Sequence, residues 1–337
     1  YVMREYLSSL DDSSRAVCKI LTKYEYSCTE GQVLKRKLHS EFKLMSLVAV
    51  NDDDLTFRDL REFVKTNENG ERIIEWDVPE GNWNIEEYIC EPDYNANFIN
   101  ILDNEVSAEY LRETFGKLYD KYSDKKSKQF DIFICRNIMY AGKNRRMWHE
   151  GFNEHFKEEY GFDPSPYYTL LFRDYGESAR KYKCMLMKCR SDMMIEGYMK
   201  AAAAFCAARD IFCTGFPAES KASACSWLFG DGQMLHKYAA APGVSLPFAY
   251  LYGINGIKVA AGAADAFGDE VVTADLFNYY LTLSREIIYR ESMNAFVRGV
   301  NMIFAHLGED RTKDDGAIGS YLAEIAAADK KKLISYE

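Results

Sequence analysis

The sequence predicts an α/β protein in which a partial or complete (β/α) barrel of the TIM type follows a small antiparallel β domain near the N-terminus. Three observations predict it. The dipeptide Asn69-Gly70, a strong hairpin signal, separates two strand-like runs, and Pro79-Glu80-Gly81 turns the chain into a third. Apolar residues switch to helical spacing after residue 100. Short apolar runs at 130–135, 211–214, 271–274 and 300–305 then alternate with helical stretches, the pattern of a parallel sheet or a barrel.

Residues 1–40 form a weakly patterned N-terminal segment. The antiparallel unit is expected over 41–99, with strand-like runs at 43–49, 60–66, 72–78 and 83–89. Trp76 and Trp83 either pack on its covered face or stack on a ligand. The barrel-like region, 100–309, opens with a helix carrying Leu111, Phe115, Leu118 and Tyr122, N-capped by Asp103 or Asn104. A lysine-rich loop, 123–129, leads into the run at 130–135. Trp148, Phe152, Phe156 and Tyr160 read as one helical stripe, ended by Gly161 and Pro164. Glu177 to Arg209 reads as a long helix with Tyr182, Leu186, Cys189 and Met193 on one face, its methionines filling core. Helical segments near 222–237 and 283–298 separate the later strands. The tail, 310–337, is charged, with a short helix at 318–327 and a solvated run Lys330-Lys331-Lys332.

Composition narrows the function. A chain of 337 residues with 47% hydrophobic residues builds a sizeable core in one large domain or two modest ones. Its 42 basic against 52 acidic residues give a net charge of -10, so no nucleic-acid partner is expected. A neutral ligand such as a carbohydrate remains compatible. The 24 Tyr, 20 Phe and 4 Trp argue against intrinsic disorder. Nine cysteines form no CxxC pair, no N-x-S/T sequon occurs and no signal peptide opens the chain, which we read as buried thiols in a reducing, cytoplasmic setting. The longest uncharged stretch, Tyr238 to Ile257, is broken by Pro242, Gly243, Pro247, Gly253 and Gly256, so no membrane partner is expected. Five histidines make no HExxH, and there is no Walker loop, dinucleotide fingerprint or GxSxG elbow, so neither a metal nor a cofactor is expected. The chain opens at Tyr1 without an initiator Met, which we read as a mature, cut or partial chain.

In a barrel the chemistry gathers at the carboxyl ends of the strands. After 211–214 come Gly215 to Glu219, after 271–274 Asp275, after 300–305 His306 and Glu309, and after 130–135 Arg136-Asn137. Two carboxylates across a barrel mouth suit glycoside hydrolysis, one protonating the leaving oxygen and the other attacking or activating water. Glu219 as general acid and Asp275 as second carboxylate are therefore the catalytic candidates, with His306 and Trp148 as substrate-binding residues. Each polar candidate also has a plain structural role: Glu219 as a helix cap, Asp275 as an N-cap or surface residue, His306 as a satisfied core histidine.

Several segments in a shared order resemble large bacterial glycoside hydrolases of the α-L-rhamnosidase type, family 106. Trp76 to Trp83 resembles a "W-x-V-P-x-G-x-W" hairpin, and Trp148 to Asp163 resembles "W…F…YGYD". Thr214 to Glu219 resembles "TGHxxxE" one residue short, Pro242-Gly243 a "PG" turn, and Gly299-Val300-Asn301 to His306 a "GVN…H" segment. The resemblance runs from about residue 71 to 308. It departs where the family carries acids or a histidine: Cys135-Arg136-Asn137, Phe216, Ser245 and Ala274 stand at those positions. Glu219 and His306 are the carry-overs, and Asp275 substitutes by a one-residue shift. The resemblance thus implies a glycoside hydrolase-like protein with degraded or lost catalytic residues, a pseudoenzyme. The alternative is a non-catalytic carbohydrate-binding or assembly protein derived from a glycosidase barrel, and a third reading is an α/β structural subunit without a small ligand. A complete barrel takes about 250 residues. Four or five parallel strands fit between 130 and 306, so the barrel is expected to be incomplete in this chain, with another polypeptide as a candidate to complete it.

Overall fold

The computed structural model describes residues 2–39, 41–51, 53–54, 56–123, 130–136, 138–216, 228–246, 254–277 and 284–305. After helix α1 (Val2–Ser8) come strands β1 (Lys19–Thr29), β2 (Val33–Lys37), β3 (Lys43–Asn51), β4 (Phe57–Asp59), β5 (Val64–Thr66), β6 (Arg72–Asp77) and β7 (Asn82–Pro92). Helices α2 (Asn104–Leu111) and α3 (Lys117–Ser123) precede β8 (Ile132–Arg136), β9 (Met147–Trp148), α4 (Phe152–Tyr160), α5 (Glu177–Met194) and α6 (Lys200–Ala207). The chain continues through β10 (Phe212–Phe216), β11 (Ala241–Leu246), α7 (Ile254–Phe267), β12 (Thr273–Leu276), α8 (Arg285–Phe296) and β13 (Met302–Ala305). It divides into two compact units, Tyr1–Val106 with Tyr140–Met194, and Ser107–Met139 with Ile195–Glu337.

The first unit is antiparallel. A five-stranded sheet runs in the order β4-β3-β7-β1-β9, and a three-stranded sheet in the order β2-β6-β5. β1 pairs with β7 from Lys19↔Pro92 to Thr29↔Asn82, and β2 pairs with β6. The expected boundary between 1–40 and 41–99 therefore does not hold, because strands within the first forty residues are integral to both sheets. The Asn69-Gly70 hairpin is present, with Thr66 opposite Arg72 and Gly70 at φ 79. Its second strand and the following run, however, belong to different sheets. The turn at Pro79-Glu80-Gly81 folds β7 over β6, and Trp76 and Trp83 meet edge-on at 5.7 Å and 90° between them. Gly81 is required there: its φ is 108, and a Cβ would lie 2.8 Å from the Asn51 amide. Ile74, Trp76, Trp83 and Ile85 share a buried cluster with Leu47, Ala49 and Leu60, as expected for two sheets packed face to face.

The other face of the five-stranded sheet is also closed. Ser46 donates to the Ser165 carbonyl at 2.7 Å, and Asn153 donates to the Met45 carbonyl at 2.7 Å, fixing α4 and the 3₁₀ segment Ser165–Leu171 against β3. The expected helical stripe is corrected at its first member: Trp148 lies on β9 opposite Lys19, and the helix begins at Phe152. Its end is as read, with Gly161 left-handed at φ 80. Asp103 accepts from the Val106 amide at 3.1 Å, the capping bond expected at the start of α2.

The second unit holds five parallel strands in the order β13-β12-β11-β10-β8, the same order as in the chain except that β9, between β8 and β10, belongs to the antiparallel sheet. Helices intervene between β8 and β10, β11 and β12, and β12 and β13, and the sheet curls. The stretch expected as one helix over 177–209 is α5, a π turn at Ile195–Met199, and α6. Val244, Ala274 and Leu276 pack with Ile257, Ala260 and Ala264 of α7 and Ile288 and Ala295 of α8. Strand alternation then sends Ser245, Thr273, Asp275, Met302 and Phe304 to the opposite, inner face. Among the described residues the sheet is open, with β8 and β13 at its edges and no closed barrel. The tail at 310–337 and residues 222–227 of the helix expected at 222–237 lie outside the described residues, and within 228–237 the chain makes a 3₁₀ turn at Met234–His236.

Candidate functional site

The polar groups of the inner face collect where the strands end. Arg136, the last residue of β8, donates from Nη2 to Asp275 Oδ2 at 2.9 Å, and the Ser245 hydroxyl on β11 donates to the same oxygen at 3.2 Å. Asp275 and Ser245 stand side by side in the β11/β12 register. Arg136 is three strand spacings away, roughly 14 Å across a flat sheet. The curl of the sheet brings it within reach. Gly215 helps: a Cβ there would lie 2.2 Å from the Cys135 carbonyl, so only glycine lets β10 lie this close to β8.

One layer deeper the hydroxyls satisfy one another. Thr214 donates to the Ala241 carbonyl at 2.8 Å and lies 3.2 Å from the Thr273 hydroxyl. This layer is fully buried. Asp275 is also fully buried, at 0% exposure, whereas the Arg136 side chain keeps 36% of its surface in solvent. A buried carboxylate needs a cation and donors to offset its lost hydration, and Arg136 and Ser245 supply them.

Asp275 was expected just beyond a strand ending at residue 274. It lies inside β12, which starts and ends two residues later than the sequence suggested. Glu219 and His306 lie outside the described residues. Trp148 belongs to the core of the first unit. It is 2% exposed, its indole N–H donates to the Tyr168 hydroxyl at 3.1 Å, and its ring lies 4.3 Å from that of Phe152. Such a ring presents no face to a sugar. The structure thus brings Asp275 together with Arg136 and Ser245, residues the sequence marks only as departures from an acidic pattern. The signal available was an acid inside an apolar strand, which demands a basic partner.

Among the described residues no cluster of His, Cys, Asp or Glu is arranged to hold a metal ion, and no helix is long and apolar enough to cross a membrane.

No protein-family model and no curated protein matches the chain. Among solved structures it is similar to a rhamnosidase from Novosphingobium sp. PP1Y, with a TM-score of 0.56 and 16% identity, covering 77% of this chain and 26% of that one. The chain therefore spans about a quarter of that enzyme's length. At this identity the likeness is one of fold.

Proposed function

We propose that this chain is a glycosidase-like protein that binds carbohydrate without hydrolysing it. The observation that carries the reading is the closure of Asp275. It is the sole acidic residue in the five parallel strands, and it has no exposed surface. A retaining or inverting glycosidase needs a pair of carboxylates that reach the anomeric carbon, a water or the leaving oxygen. Asp275 instead faces Arg136 and Ser245, and its work is to position the guanidinium. Arg136, partly exposed at the strand ends, is the group suited to donate hydrogen bonds to sugar hydroxyls. The fold likeness to a rhamnosidase supports the sugar class. Calorimetric titration with neutral monosaccharides, L-rhamnose first, tests it. Saturable binding, weakened at least tenfold by Arg136→Lys, is expected; no saturation with any sugar contradicts it.

A second reading is favoured by β8. Ile132 and Ile134 alternate with Arg136 onto the inner face and are 42% and 41% exposed, on a strand paired on one side only among the described residues. An apolar inner face on an edge strand suits a further β/α element supplied by another polypeptide. Light scattering on the full chain tests it. Self-association lost on Ile134→Lys supports assembly through this face, and a monomer at every concentration opposes self-assembly there.

A further inference from the structure

The chain is acidic overall, yet one small cavity in the first unit is walled by cations. It has a volume of about 230 Å³, and Arg173, Arg180 and Lys183 line it against a single carboxylate, Asp174. Asp174 is engaged locally, accepting from the Gly176 amide at 3.0 Å. Arg173 is engaged on its other side. Its Nε lies 3.1 Å from Glu86, its Nη2 donates to Glu25, and Lys23 bridges the same two carboxylates at 2.6 and 3.3 Å. Glu86 is fully buried. This four-charge network balances itself and pins Arg173 in the cavity wall.

Arg180 and Lys183 have no such balance. They stand three residues apart on α5, on one face of the helix, and make no ion pair or hydrogen bond among the described residues. Tyr175, also in the wall, shares a 2.9 Å hydrogen bond with Thr169. Arg180 and Lys183 against the single Asp174 carboxylate, beside an Arg173 whose charge is balanced by Glu25 and Glu86, leave the lining with a net positive charge in a protein of net charge -10, which favours an anion. The volume is below the roughly 300–1,000 Å³ of pockets for larger organic ligands, so the anion is small.

We propose that this cavity binds a small oxyanion, a carboxylate or a phosphate group, held by Arg180 and Lys183 against the fixed Arg173. Arginine engages either group through paired N–H donors. The proposal does not depend on the carbohydrate reading. It is tested on the full chain by calorimetric titration with inorganic phosphate and with galacturonate at low ionic strength. Saturable binding of either probe, weakened at least tenfold in an R180A/K183A double variant and weakened by added salt, is the expected result. The tighter probe tells phosphate from carboxylate. Circular dichroism and thermal melting of the double variant check that it remains folded. No saturation by either probe up to about 50 mM, well beyond the roughly 1 mM dissociation constant of a weak site, overturns the proposal. So does equal affinity in the folded double variant.

Discussion

β7, at the centre of the antiparallel sheet, is buried residue by residue from Trp83 to Cys90, while β8, at the edge of the parallel sheet, leaves Ile132 and Ile134 more than a third exposed. Burial of β7 on both faces is complete enough to enclose two carboxylates. Glu86 is matched by Lys23 and Arg173, and Glu87 accepts from the His39 backbone and ring at 2.9 and 2.8 Å. The parallel sheet buries one acid in its strands, Asp275, and matches it with an arginine that still touches water. The first sheet is closed by its own chain. The second leaves Ile132 and Ile134 of its edge strand and part of the Arg136 side chain in solvent.

Truncation of the closed sheet gives the largest expected effect. Ile85 is fully buried between the two sheets, and Ile85→Ala should cost about 2–5 kcal/mol in denaturant unfolding. A loss under 1 kcal/mol would mean that this core is not packed as described.

The Arg136–Asp275 pair sharpens the contrast, because its two ends are not equivalent. Arg136→Met leaves a fully buried carboxylate without its guanidinium and should cost about 3 kcal/mol. Asp275→Asn leaves an arginine that reaches solvent and should cost only about 1 kcal/mol, near the usual worth of a hydrogen bond. Equal losses, or a larger loss for Asp275→Asn, would contradict the burial difference.

His236 gives the parallel unit a pH dependence. It is 3% exposed, and burial pushes its pKa down to about 4. The unfolded chain binds this proton near pH 6.5 and the folded chain near 4, so the stability contribution is full above pH 6.5. It falls as pH drops, by about 1.4 kcal/mol per unit and roughly 3 kcal/mol in all. His236→Gln should flatten the stability profile between pH 6.5 and 4. An unchanged slope in the variant would place the titration elsewhere.

The smallest effect is expected on the open face. Ile134→Ala should change monomer stability by about 0.5 kcal/mol or less, as at other exposed sites. A cost like that of Ile85→Ala would show that this side chain is covered in solution, by a second chain.

Features set by local chemistry were legible in the sequence. Asn69-Gly70 made its hairpin, Asp103 its cap and Gly161 its helix end, and the apolar runs became parallel strands. The misses have physical causes. β1 mixes lysine, glutamate and tyrosine because much of it is half-exposed, so its pattern reads as irregular. β11 carries Pro242 and Gly243, and α7 carries Gly256 and Gly262, which suggest loops until a neighbouring strand and helix enforce the structure. The run at 83–89 was legible as a strand, but not the burial of Glu86 and Glu87 within it, because Lys23, Arg173 and His39, the partners that make that burial tolerable, are distant in the chain. For the same reason Asp275 was legible as an acid near a strand end and illegible as the partner of Arg136. That pairing depends on the curl of the sheet, which no local spacing records.

Hydrolysis of a panel of aryl glycosides, rhamnosides included, by the wild-type chain and by Glu219→Gln separates a sugar-binding protein from a hydrolase. Glutamine keeps the shape of Glu219 and removes its transferable proton. Both proteins should show the same absence of turnover, with sugar binding retained. Turnover by the wild type that drops by about 10²–10⁴-fold in Glu219→Gln, the usual contribution of general acid catalysis, would contradict it and make the chain a working hydrolase.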